Sequence, residues 1–151
     1  TMGRNYNDNY IINRLKQIGL LSFLNEFSLG LDVNISENGE NISGGQRQII
    51  SLIRATISNP KVALLDEPTS SLDNISEKKV LDYLFNLKST LIVISHRLLD
   101  IEKFDKIVVM KKGKIINFGP HNYLIKKSPY YKKLLNIKSK PRLQEYFVRY
   151  K

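Results

Sequence analysis

Two short runs, "KVALLDEP" at 61–68 and "STLIVISH" at 89–96, constrain the fold more than any other part of the chain. Each sets four apolar residues in a row and then ends in polar, reactive groups. An unbroken apolar run of that length, too short for a buried helix, predicts a strand covered on both faces, as in a parallel sheet. Parallel neighbours need a crossover between them. "NISEKKVLDYLFNL" (74–87) supplies an amphipathic helix for it, with Ser76 as candidate N-cap. Strand, helix and strand make a βαβ unit, so the class is α/β.

The flanking segments read more simply. "NDNYIINRLKQIGLLSFLNEF" (7–27) has helical spacing broken at Gly19 and predicts two short helices. Residues 28–42, rich in Asn, Gly and Ser, predict a loop. "GGQRQIISLIRATIS" (44–58) predicts a helix with Ile49, Leu52, Ile53 and Thr56 on one face, ended by Asn59-Pro60. "DKIVVMKKGKIINFG" (105–119) predicts a hairpin, and 121–138 one or two helices around Pro129. The last ten residues, "RLQEYFVRYK", are expected to form a further helix.

The ends of the two apolar runs carry the chemistry. In open α/β sheets, ligands bind at the carboxyl ends of the strands. Asp66-Glu67 ends the first run and Ser95-His96 the second. A carboxylate there suits Mg²⁺ held largely through phosphate and water. A second carboxylate can orient or deprotonate an attacking water, and a histidine on the neighbouring strand can reach a phosphate oxygen. Taken singly, an acid pair before proline and a histidine at a strand end are equally at home as structural features. A third element joins them. In "NISGGQRQ" (41–48), Ser43, Gly44 and Gly45 stand where a helix begins, with N–H groups exposed and no side chain in the way. Such a start receives an anion, most naturally a phosphate.

Charge is unevenly placed along the 151 residues. Residues 1–100 hold ten basic and eleven acidic side chains, whereas 101–151 hold fourteen basic and three acidic. No acid lies between Asp105 and Glu145, so this segment reads as a solvated face or as a surface for an anionic partner. There is no cysteine, which excludes a disulfide framework and thiolate metal sites. No apolar stretch approaches the length of a membrane span.

Four segments resemble, in order and spacing, the motifs of ATP-binding cassette (ABC) ATPases. "NISGGQRQ" resembles their signature, "VALLDEP" their Walker B strand, "SSLD" (70–73) their D-loop and "ISHR" (94–97) their switch-histidine region. "ISENGENISGGQ" (35–46) is similar to the loop that precedes the signature in ABC exporters. Two positions depart from the pattern: Ser36 stands where glycine is usual, and Pro68 where exporters more often carry alanine. The resemblance implies a partial P-loop NTPase-type fold: a helical subdomain (1–60), the C-terminal part of the catalytic α/β core (61–136) with its hairpin and helices, and a basic tail (137–151). It implies ATP and Mg²⁺ as cofactors. Ser43, Gly44, Gly45 and Gln46 would contact the γ-phosphate of ATP held on a second, head-to-tail cassette. Asp66 would serve Mg²⁺, Glu67 would polarise the attacking water, His96 would contact the γ-phosphate in cis, and Asp73 would link the two sites.

The phosphate-binding loop G-x-x-x-x-G-K-[ST] does not occur in residues 1–151, and neither does a glutamine loop. The expected protein is therefore the C-terminal part of a transporter's nucleotide-binding domain, working with a transmembrane domain at the cytoplasmic face of the cell membrane. The parent would hydrolyse ATP, and the chain alone would not. Its basic third would meet anionic lipid, with no nucleic acid expected. The strand at 61–66, central in the parent sheet, would leave an exposed edge and drive self-association. Two other readings stay open here: an ABC-superfamily ATPase acting on nucleic acid, and a non-catalytic interaction fragment.

Overall fold

The computed structural model describes residues 5–96, 100–136 and 145–149, grouped into two compact units. One unit spans 1–60 and 71–87, the other 61–70 and 88–151.

The first unit is helical. Helix α1 (Asp8–Ile18) starts on Asn7, whose side chain accepts from the Tyr10 amide at 2.8 Å. It ends at Gly19, which adopts φ 73°, a left-handed turn that glycine enters without a Cβ penalty. A 3-10 turn (Leu21–Glu26) follows, so the segment read as two helices is one α-helix and one tighter turn. Helix α2 (Gly44–Thr56) buries Ile49, Leu52, Ile53 and Thr56, the face its periodicity predicts. Helix α3 (Asn74–Asn86) packs against α1 and buries Val80, Leu81, Tyr83, Leu84 and Phe85. Its N-cap is Asp73 and not Ser76, because Asp73 accepts from the Ile75 and Ser76 amides at 2.9 and 3.0 Å. Two buried hydroxyls satisfy each other and the backbone. Tyr83 donates to Thr56 at 3.0 Å, and Thr56 donates to the Leu52 carbonyl at 2.8 Å.

The second unit holds one five-stranded sheet in the order β1-β2-β5-β3-β4. Strands β1 (Val62–Asp66) and β2 (Thr90–Ser95) are parallel, with Val62 opposite Thr90 and Asp66 opposite Ile94. The chain passes from one to the other through α3, giving the predicted βαβ order. Strands β3 (Lys106–Lys111) and β4 (Lys114–Gly119) form the predicted hairpin, with the turn through Gly113 at φ 73°. Helices α4 (His121–Lys127) and α5 (Pro129–Asn136) follow, and Pro129 opens the second of them. Tyr131, Leu124 and Leu134 are buried, and His121 lies 2.9 Å from the Tyr131 hydroxyl.

Two further expectations need correction. The C-terminal segment is not a helix: Glu145–Arg149 forms strand β5, antiparallel to both β2 and β3 and seated between them. Aromatic and β-branched residues at 146–148 suit a strand, and two flanking strands offer their ladders. Neither of the first two strands is covered on both faces. Ala63, Leu65, Leu91 and Val93 are buried, but Val62 and Leu64 are 57% and 67% exposed, and β2 is half-buried on the matching face. Strand β1 lies at the edge of the sheet, the exposed edge expected of it in this chain. The outer face of β1 is thus apolar and open at Val62 and Leu64, next to half-buried Ile92 and Ile94 of β2; in the hairpin, Val108 is half-buried and Phe118 exposed.

Candidate functional site

The candidate residues fall into two groups, one in each unit. In the sheet unit, Asp66 ends β1 with its side chain exposed. The chain then turns sharply. Glu67 adopts φ 47°, a conformation that a residue with a side chain enters at a cost of about 1–2 kcal/mol. Its amide donates to the Ile94 carbonyl of β2 at 2.8 Å, and its carbonyl accepts from Ser70 at 3.2 Å. This twist turns the Glu67 carboxylate toward the end of β2. There Oε1 accepts the His96 backbone N–H at 3.0 Å and lies 2.7 Å from His96 Nδ1. With Nδ1 carrying the hydrogen, the carboxylate fixes the imidazole and leaves Nε2 directed elsewhere as the working nitrogen. Both side chains are partly exposed, while the second carboxylate oxygen of Glu67, Oε2, is buried. The two strand-end groups singled out in the sequence are therefore brought together.

Asp66, Glu67 and His96 suit phosphate chemistry in a specific way. Among the described residues, no three His, Cys, Asp or Glu side chains converge to hold a metal ion. A Mg²⁺ ion asks for less, since it commonly takes one or two carboxylates and completes its octahedron with phosphate oxygens and water. The exposed Asp66 carboxylate at a strand end meets that requirement.

In the helical unit, α2 opens with a reciprocal capping box. Ser43 Oγ accepts the Gln46 amide at 3.1 Å, and Gln46 Oε1 accepts the Ser43 amide at 2.8 Å. The Gln46 side-chain amide then donates to Glu26 at 2.7 Å. No described residue accepts from the Gly44 or Gly45 amides, so the start of the helix presents donors suited to an anion. The segment 71–73 lies against it: a Cβ on Gly45 would meet the Ser71 carbonyl oxygen at 3.1 Å. Glycine allows this close approach, because a Cβ there would push the carbonyl back by a few tenths of an ångström. Asp73 is engaged as the cap of α3, where Ser76 donates through both its amide and its hydroxyl, the latter at 2.7 Å. These donors hold the Asp73 carboxyl below its ordinary pKa.

Glu26, Gln48 and the left-handed turn at Glu67 were not legible beforehand. Glu26 ends an irregular 3-10 turn, and no spacing rule connects it to Gln46. The turn at Glu67 runs against the local signal, since a following Pro favours extended backbone in the residue before it.

The family model described as ABC transporter matches residues 4–70. The chain is 37% identical over 139 residues to the multidrug resistance-like ATP-binding protein MdlB of Buchnera aphidicola, covering 91% of this chain and 24% of that protein. It is 42% identical over 137 residues to the ATP-dependent lipid A-core flippase of Francisella novicida, covering 89% of this chain and 23% of that protein. Among solved structures, a bacterial Atm1-family ABC exporter with ATP bound superposes with a TM-score of 0.80 at 28% identity, over 89% of this chain and 24% of the exporter. The chain thus spans about a quarter of the length of these relatives.

Proposed function

Because the chain belongs to the ABC transporter family, as part of a nucleotide-binding domain, we propose that it is the C-terminal part of an ATPase that powers export across a membrane. The observation that carries this reading is the Glu67–His96 pair, 2.7 Å apart beside Asp66 at the carboxyl ends of two parallel strands. Glu67 polarises the attacking water, and His96, oriented through Nδ1, offers Nε2 to the γ-phosphate. Asp66 holds Mg²⁺, which supplies charge neutralisation of the phosphates when bound. Ser43, Gly44, Gly45 and Gln46 face the γ-phosphate of ATP bound mainly by a second nucleotide-binding domain in a head-to-tail pair. Asp73 joins the two sites across that pair.

In this reading residues 1–60 are the signature-bearing helical part, 61–136 a share of the catalytic core, and 137–151 a basic tail. The domain works against a transmembrane domain at the cytoplasmic face of the membrane. Among the described residues, no helix of this chain is long and apolar enough to cross a membrane itself. The hairpin and α4 present Ile115, Ile116, Phe118 and Tyr123 to solvent amid Lys111, Lys112, Lys114, Lys126 and Lys127, a composition suited to anionic lipid. The open sheet face and the β1 edge make this chain, taken alone, self-associate.

A chimera tests the proposal. Residues 5–136 replace the matching stretch of the Francisella novicida flippase, which supplies the phosphate-binding loop, and ATP turnover is measured in vesicles. Turnover should persist, and Glu67→Gln should abolish it with ATP binding kept. His96→Ala should lower kcat far more than nucleotide affinity. A Glu67→Gln chimera with undiminished kcat overturns the assignment. The chain alone should show no Glu67-dependent turnover.

A further inference from the structure

Ser71 sits against the first two turns of α2 through three of its groups. Its amide donates to Gln48 Oε1 at 2.8 Å, across 23 positions of sequence. Its carbonyl oxygen lies 3.1 Å from where a Gly45 Cβ would stand, and its hydroxyl oxygen 3.5 Å from where a Gly44 Cβ would stand. Two residues on, Asp73 is locked onto the start of α3 by three hydrogen bonds. The segment 71–73 therefore has no slack: one end is fastened to α2 and the other to α3.

We propose that Gln48 is a positioning residue that fastens the segment bearing Asp73 to the phosphate-facing start of α2, so that the two move as one piece. Gly45 and Gln48 share this task. Gly45 lets the Ser71 carbonyl come close, and Gln48 holds the segment there by accepting from the Ser71 amide. Ser43, Gly44 and Gly45 cannot then shift toward or away from a γ-phosphate without carrying Asp73 with them. This extends the proposed function, because it rests on the start of α2 facing a phosphate; the fastening itself does not depend on that reading.

Two substitutions of matched size separate the cases. Gln48→Met fills the same space with no oxygen acceptor, and Gln48→Glu keeps an oxygen in reach of the Ser71 amide. Amide hydrogen exchange on the full chain reads the fastening directly. Gln48→Met should speed exchange at Ser71 by tenfold or more, with the α2 interior amides and the circular dichroism unchanged; Gln48→Glu should restore protection. Unchanged Ser71 exchange in Gln48→Met overturns the proposal. In the chimera, Gln48→Met should cut kcat about tenfold with the KM for ATP within twofold, and Gln48→Glu should recover most of it. Equal kcat for the Met variant and the parent chimera overturns the coupling to phosphate chemistry. If the ATPase reading were itself wrong, the parent chimera would lack Glu67-dependent turnover while the exchange result still decided the fastening.

Discussion

Exchanging each signature glycine for alanine should separate backbone entropy from steric approach at one helix start. Gly44 and Gly45 both lie in the first turn of α2, and neither has the left-handed φ that would penalise a side chain. Alanine at such positions stabilises by about 0.4–1 kcal/mol, chiefly because the unfolded chain loses freedom. At Gly44 the new methyl would meet only the Ser71 side chain, at 3.5 and 3.6 Å, which is ordinary contact. Gly44→Ala should therefore keep the gain and raise Tm by about 1–4 °C for a chain of this size. At Gly45 the methyl would meet a backbone carbonyl at 3.1 Å and Leu72 at 3.5 Å. A carbonyl whose own residue is held by Gln48 has to retreat by a few tenths of an ångström, and the gain should vanish or reverse. Removing the restraint should relieve the clash, so Gly45→Ala with Gln48→Met should be less destabilised than the two single changes added together. Thermal unfolding followed by circular dichroism gives all four values. A Gly45→Ala chain as stable as Gly44→Ala would refute the close approach on which the fastening depends.

Asp73→Ala should lower stability near neutral pH and lose its effect in acid. The folded-state pKa of Asp73 is depressed, so its contribution is present above the unfolded value, near pH 4, and fades as pH falls through the folded one. A difference from the parent chain that does not shrink as pH falls below the unfolded carboxylate value would deny the ionised carboxylate its capping role. Vesicles containing anionic lipid should retain the chain at low salt and release it at high salt, with Lys112, Lys114, Lys126 and Lys127 to Gln weakening retention; equal retention on neutral vesicles would remove the electrostatic argument. At micromolar concentration the chain should sediment as an oligomer, and Leu64→Lys should return it toward a monomer. Covering Val62 and Leu64, each more than half exposed, is worth roughly 1–2 kcal/mol apiece. A monodisperse monomer before any substitution would show that the open face is tolerated.

Sequence alone supplied the motif order, α2 and its buried face, the parallel pair and the hairpin, because each rests on local periodicity or on a turn residue with one conformational meaning. Gly19 and Gly113 ended elements where their left-handed φ values required it. What sequence could not supply was partnership. Ser76 looked like a cap because hydroxyls cap helices, but the Asp73 carboxylate, three positions earlier, accepts more donors and wins. Glu26 meets Gln46 through a turn whose course follows no period. The meeting of Glu67 with His96 was foreseeable as two strand ends in one sheet, but its geometry depends on a left-handed glutamate.

Strand β5 shows the same limit from the other side. "EYFVR" has the aromatic and β-branched content of a strand, yet its place is decided by β2 and β3, which run parallel to each other one strand-width apart. Two parallel strands separated by an empty ladder would leave two rows of unpaired backbone N–H and C=O groups inside a sheet, each pair worth about a kcal/mol or more when satisfied. Any available extended segment lowers that penalty, and direction is secondary, since an antiparallel insert satisfies both ladders as well as a parallel one. The same reasoning explains why β5 repairs only part of the sheet. It closes the gap in the hydrogen-bonding plane, but Val62 and Leu64 lie on β1, beyond β2, and they stay exposed, as does Phe118 on β4. Pairing of strands and covering of faces are separate requirements, and a single strand can meet only the first.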